Sequence, residues 1–249
     1  MRYTHKGGDC LSYIILNGVK NTDIYGLMIQ TLPPISKPLM RTAIETIDGR
    51  DGDIITKLGY SAYDKPVLVG LYGNFDIDQV IEYFNNNSDG TVTFSDEPDK
   101  YYNYQIINQI DFERLIRFRQ ATVTLHVQPF KYSLIEGNKE LYLPADRLVS
   151  VVNTGNIYSK PVLTIRGNGN VTVSLNGSQV FSIAFSTSAV ETITIDTEKM
   201  EAYDDTRLRN RAVVGDYNNF HFAVGRNAVK FGGSGTVSQV LIEKYSRWV

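Results

Sequence analysis

Between residues 122 and 128 apolar and polar positions alternate without a break. Val123, Leu125 and Val127 fall on one side, and Thr124, His126 and Gln128 on the other. A period of two marks a strand with one face buried, and Pro129, which has no N–H to donate, is expected to end it. Residues 13–16 and 25–30 read as further short strands, the first followed by a turn at Asn17-Gly18. Ser95, Asp96, Glu97 and Pro98 supply a turn, because proline sets one φ and short acceptors bond nearby amides. One stretch switches to the helical period. Ile77, Val80, Ile81 and Phe84 stand at i, i+3, i+4 and i+7. Asp76 is placed to cap them, with Gln79 as capping-box partner and Phe75 and Val80 at the staple positions. Residues 85–90 should end this helix, which the pattern makes the only one in the first half.

The second half has a different texture. Residues 162–166, 171–175, 180–185, 193–196, 220–224 and 237–242 read as short strands. Between them lie Gly167-Asn168-Gly169-Asn170, Asn176-Gly177 and Gly232-Gly233-Ser234-Gly235. Asn-Gly between alternating runs is a strong hairpin signal, since both residues tolerate positive φ. Strands at this spacing predict a β-sandwich of the jelly-roll type. Glu136, Gly137 and Asn138 break the pattern, which places domains at 1–133 and 134–249. The fold class expected is mainly β: an N-terminal β-sandwich or barrel with one packed helix, then a C-terminal jelly-roll sandwich.

Composition narrows the function. A chain of 249 residues can bury a real core without metals or disulfides. Its formal net charge is −2, with 25 basic and 27 acidic residues intermixed, so nothing resembles a phosphate-binding footprint. Cys10 is the only cysteine, which rules out an internal disulfide. No apolar run reaches the length of a signal-peptide core or a membrane helix, and synthesis in the cytosol is the expectation. Sixteen tyrosines and eleven phenylalanines suit pleated surfaces and protein interfaces.

Catalytic chemistry finds no anchor. His5, His126 and His221 are scattered, and none has a second metal ligand at a useful spacing. His126 and His221 read as solvated or hydrogen-bonded strand histidines. Gly167 and Gly169 precede a strand, whereas a dinucleotide site needs a helix N-terminus there. Asp48, Asp51 and Asp53 in IDGRDGD superficially suggest calcium, but their spacing and the intervening glycines fit a tight turn instead. Tyr101, Tyr102 and Tyr104 fit ordinary sheet packing better than a sugar platform. Arg114, Arg117 and Arg119 form the densest basic patch. If residues 118–120 are strand, Arg117 and Arg119 share a face that lines a channel or pairs with acids across a subunit interface. The competing reading is a solvated face with local ion pairs.

Several blocks carry a resemblance: residues 94–132, NGVKNTDIYGL at 17–27, IDGRDGD at 47–53, KPVLTIRGNGNVTVSLNG at 160–177 and IEKYSRW at 242–248. In this order they resemble the distal tail protein family of long-tailed bacteriophages. The resemblance implies a first domain similar in fold to tail-tube proteins and closing into a homohexameric ring, and a second domain similar to galectin-like folds. It implies a place in the virion at the tail tip, with the major tail tube protein, a tail-associated fibre or lysin protein and receptor-binding proteins as partners. No cofactor, metal, catalytic residue, nucleic acid or membrane belongs to that picture. Arg50 and Asp51, with Arg117 and Arg119, are the candidate subunit-interface residues. Residues 243–249 are expected to pack back on the first domain. The alternative is a carbohydrate-binding module, with the second domain touching host cell-wall glycan; a phage-encoded hydrolase is a third reading, and it lacks an acid–base pair.

Overall fold

A computed structural model describes residues 12–134, 139–142 and 147–249. His5, Cys10 and the predicted break at Glu136, Gly137 and Asn138 lie outside the described residues. The chain divides into two compact units, the first comprising the residues up to Lys131 together with Val249 and the second running Tyr132–Trp248.

The first unit is built from β1 (Ile14–Leu16), β2 (Val19–Lys20), β3 (Leu27–Thr31), β4 (Met40–Thr46), β5 (Asp53–Tyr60), β6 (Tyr63–Leu71), β7 (Asp89–Phe94), β8 (Lys100–Ile106) and β9 (Gln120–Ser133). Two helices accompany them, α1 (Ile77–Asn86) and α2 (Phe112–Phe118). The main sheet runs β2-β1-β7-β8-β9-β6-β3. Ile14, Leu16, Val67, Val69, Val92, Tyr102, Val123, Leu125 and Val127 point into one core, which Val80, Tyr83, Phe84 and Leu115 of the helices cover. The alternation expected of residues 122–128 is therefore real. Asn17-Gly18 joins β1 to β2 with both φ angles positive (49° and 86°), the geometry of a two-residue hairpin turn.

Helix α1 begins as its cap predicts. The Asp76 carboxylate accepts from the amides of Asp78 (3.0 Å) and Gln79 (3.4 Å). Its buried face is Val80, Tyr83 and Phe84, with Ile77 and Ile81 only partly covered. Tyr102 and Tyr104 are core residues, as sheet packing required.

Three expectations fail in this unit. Pro129 does not end its strand: β9 continues to Ser133, while the ladder with β6 stops at Val127. The missing N–H of Pro129 thus lies beyond that ladder. Helix α1 has a companion, because Asp111 accepts from the Arg114 amide at 2.8 Å and starts α2. Phe118 and Arg119 are consequently a helix end, and strand begins only at Gln120.

The second unit is a sandwich of two five-stranded sheets. One has the order β10-β19-β12-β15-β16 and the other β11-β18-β13-β14-β17. The strands are β10 (Lys139–Tyr142), β11 (Leu148–Asn153), β12 (Val162–Asn168), β13 (Asn170–Leu175), β14 (Ser178–Ala184), β15 (Glu191–Asp196), β16 (Glu201–Tyr203), β17 (Val213–Gly215), β18 (Gly225–Gly232) and β19 (Thr236–Glu243). Leu163, Ile165, Ile193, Ile195, Val240 and Ile242 of the first sheet meet Val171, Val173, Phe181, Ile183, Val229 and Phe231 of the second. This is the jelly-roll-like architecture the hairpin signals predicted. Asn176-Gly177 turns between β13 and β14 with positive φ at both residues. Residues 220–224, however, are no strand. Phe220 and Phe222 are core anchors on an irregular segment, which the Asn227 side chain holds through the Ala223 amide (3.1 Å) and carbonyl (2.8 Å).

Candidate functional site

One element of the first unit lacks the burial that would explain its composition. Strands β4 and β5 pair only with each other, as a separate two-stranded sheet. IDGRDGD is the turn that joins them, with Gly49 and Gly52 at positive φ and the Thr46 hydroxyl donating to Asp53 at 3.0 Å. The tight-turn reading of the three aspartates holds. Ile44 sits directly across from Ile55, yet they are 61% and 62% exposed. Leu39, Ile47 and Leu58 are exposed as well. A two-stranded hairpin is marginal in water by itself. Exposed apolar side chains on such an arm, with two open strand edges, mark a surface that docks against protein. The sequence reading missed this arm, although Ile- and Thr-rich runs on either side of a Gly-Asp turn carried its signal.

Arg50 and Asp51 lie at the exposed tip of the arm. Arg117 and Arg119 are placed differently from the sequence expectation. Arg117 pairs with Glu113 one helical turn away at 3.0 Å, both well exposed, an arrangement that contributes little. Arg119 adopts φ 59° as the left-handed cap of α2. Its guanidinium stacks 4.5 Å over the Phe75 ring, while its carbonyl accepts from the Leu71 amide. The two arginines therefore share no strand face; the helix end sends them apart. His126 is bonded to Asp64 across the β6–β9 ladder at 2.6 Å.

The densest ionic group lies in the second unit. Arg209 reaches Glu191 at 2.9 Å and Asp204 at 3.0 Å. The Arg209 bond, helped by the Ser186 amide, holds Glu191 below the usual carboxylate range. The Thr206 hydroxyl and amide, then Arg209, hold Asp204 well below it. Depressed carboxylate pKa values give stability that is present above the ordinary carboxylate range and lost as pH falls through the folded values. Arg209→Met should lower the melting temperature by a few degrees at pH 7, and by progressively less as the pH is taken down to 3. A deficit constant with pH would instead assign the loss to packing. Among the described residues no cluster of His, Cys, Asp and Glu is arranged to hold a metal, and no helix is long and apolar enough to cross a membrane.

Residues 22–127, which contain the arm and most of the main sheet, match a family described as phage tail protein RIFT-related domain. This segment is similar to a phage tail protein domain. A search of the curated proteins returns no match to the chain. Around the tail domain the likeness extends further. The structure of the Dit (gp 19.1) protein of phage SPP1, titled a paradigm of the hub adsorption apparatus in phages infecting Gram-positive hosts, superposes with a TM-score of 0.65 at 18% identity. That match spans 94% of this chain and 98% of the SPP1 protein. The chain thus has the fold of a phage distal tail protein, tail domain and β-sandwich together. A chain of the phage P2 baseplate in its calcium-activated conformation aligns over 93% of this chain and 96% of its own length at 11% identity. Its TM-score is 0.48, and no argument rests on it.

Proposed function

We propose that this protein is a structural component of the phage tail tip, a distal tail protein rather than an enzyme. In this reading domain 1–133 assembles head to tail into a closed hexameric ring. One surface of the ring meets the major tail tube protein, and the other meets the tail-associated fibre or lysin protein. Domain 134–249 projects outward and offers attachment to receptor-binding proteins. Residues 243–249 return to the first domain. The observation that carries the reading is the arm, an exposed apolar two-stranded sheet within a phage tail domain. A head-to-tail contact joins two different surfaces and closes only when the rotation per subunit is a whole fraction of a turn. An arm reaching a neighbouring subunit supplies one such surface, with Arg50 and Asp51 at the seam and Arg117 and Arg119 beside the exposed Phe118 as its polar rim.

Light scattering coupled to size exclusion, over a dilution series with and without the tail tube protein, tests this. The expected mass is six times the 28.0 kDa chain, or two such rings stacked. A chain that stays monomeric at every concentration, tube protein included, overturns the ring.

A further inference from the structure

Lys65 is a charged residue in a place where a charge is expensive. It points inward from β6 and is only 2% exposed. Its ammonium donates to the Pro34 carbonyl at 3.0 Å, and sits 5.2 Å from the Tyr102 ring centre, 5.3 Å from that of Phe94 and 5.7 Å from that of Tyr63. Burying an ammonium costs several kcal/mol unless partners compensate, and aromatic faces supply part of that. The target of its bond is informative. Pro34 belongs to residues 32–39, the linker between β3 and the arm. That linker contains Pro33, Pro34 and Pro38, whose rings fix φ and restrict the residues before them. Pro33 and Pro38 are buried. The Tyr63 hydroxyl donates to the Ser36 carbonyl at 3.4 Å, and the Ser61 amide to the Leu39 carbonyl at 2.8 Å, closing the root of the arm. A stiff linker held at three successive points transmits a fixed direction to whatever follows it.

We infer that Lys65 is a positioning residue: by anchoring the proline-rich linker at Pro34 it sets the angle at which the β4–β5 arm leaves the domain, and thereby whether head-to-tail assembly closes into a ring. The inference rests on the ring reading for its consequence, but not for its geometry. A seam tolerates little angular error, since a small rotation per subunit turns a closed ring into an open helix. Replacing a buried charge by an apolar residue of similar length is often neutral for folding, so Lys65→Met should separate positioning from stability.

Two readouts decide it. In a Cys10→Ser background, spin labels at Asp48→Cys near the arm tip and Glu82→Cys on α1 report the arm angle as a distance distribution, with labelled chain diluted into unlabelled chain. The wild-type pair should give one narrow distance. Lys65→Met should broaden it, while the melting temperature stays near wild type and the closed-ring fraction in light scattering falls about tenfold. A narrow, unshifted distance in folded Lys65→Met overturns the inference, as does an unchanged ring fraction where the wild type forms rings. If wild type never reaches the six-fold mass, the ring reading fails by itself, and the distance alone decides the role of Lys65. Should Lys65→Met not fold, Tyr63→Phe, which deletes the hydroxyl bonded to Ser36, must broaden the same distance; an unshifted distance there also overturns the inference.

Discussion

Phe220→Ala is expected to destabilise the second unit by about 3–5 kcal/mol, the usual range for deleting a fully buried aromatic ring. Phe220 is completely buried, with the Phe181 ring centre at 5.4 Å and that of Phe222 at 5.7 Å. The three rings pack within the core of the sandwich, whose strands are tied into two hydrogen-bonded sheets that resist inward collapse. The cavity would therefore persist, and the loss would combine transfer free energy with lost dispersion contacts. Urea-dependent hydrogen exchange at Ile165 and Val229, each paired on both sides within one of the two sandwich sheets, reports this unit. Hydrogen exchange at Val67 and Val123 reports the first. The first unit draws on a separate core, so its exchange should be unchanged. Equal acceleration in both would mean that the two units unfold as one cooperative body.

The double substitution Ile44→Thr and Ile55→Thr should have the opposite signature, a large effect on assembly with no loss of stability. Threonine keeps β-branching and strand preference while removing apolar surface from a directly opposed pair. The side chains remain 61% and 62% exposed within the chain, so folding has little to lose. At a seam that buries them, with each CH₂ worth about 0.8 kcal/mol, roughly 2–3 kcal/mol would vanish per interface. That corresponds to a factor of about 30–150 in each contact, repeated at every seam around the ring. The dilution midpoint for dissociation measures it. Rings that survive at the wild-type midpoint would remove the arm from the seam, and a lower melting temperature would show that the arm is part of the core after all.

Both predictions depend on where side chains lie, and the sequence supplied that information unevenly. The alternation of residues 122–128 was legible because a strand with one buried face writes its orientation at every second position. The cap of α1 was legible because it is satisfied within three residues, through Asp76 and the amides that follow. The Asn-Gly turns were legible because their backbone geometry favours those residue types. Helix α2 left a local signal, Asp111 ahead of Phe112, Leu115 and Ile116, but it is short and lies beside a strand, and the reading passed over it. Strand β11 alternates in burial but not in residue type, since its exposed Leu148 and Val152 are apolar and its buried Asn153 is polar, so it was overlooked, and β18 runs into Gly232, which read as part of a turn. Phe220 and Phe222 alternate as a strand would, yet Asn227 occupies the neighbouring backbone groups.

What the sequence by itself determined is the mainly β character, the start of α1, the hairpin turns, and the absence of a catalytic constellation at any familiar spacing. These follow from interactions that close within a few residues. Tertiary structure alone decided that Arg117 and Arg119 diverge, that Lys65 is enclosed against a loop thirty-one residues away, and that the Ile-rich arm has nothing packed over it. An isoleucine in a strand carries the same local preference whether its face meets a core or water. Burial depends on which distant segments arrive above it, and for the arm none of the described residues does.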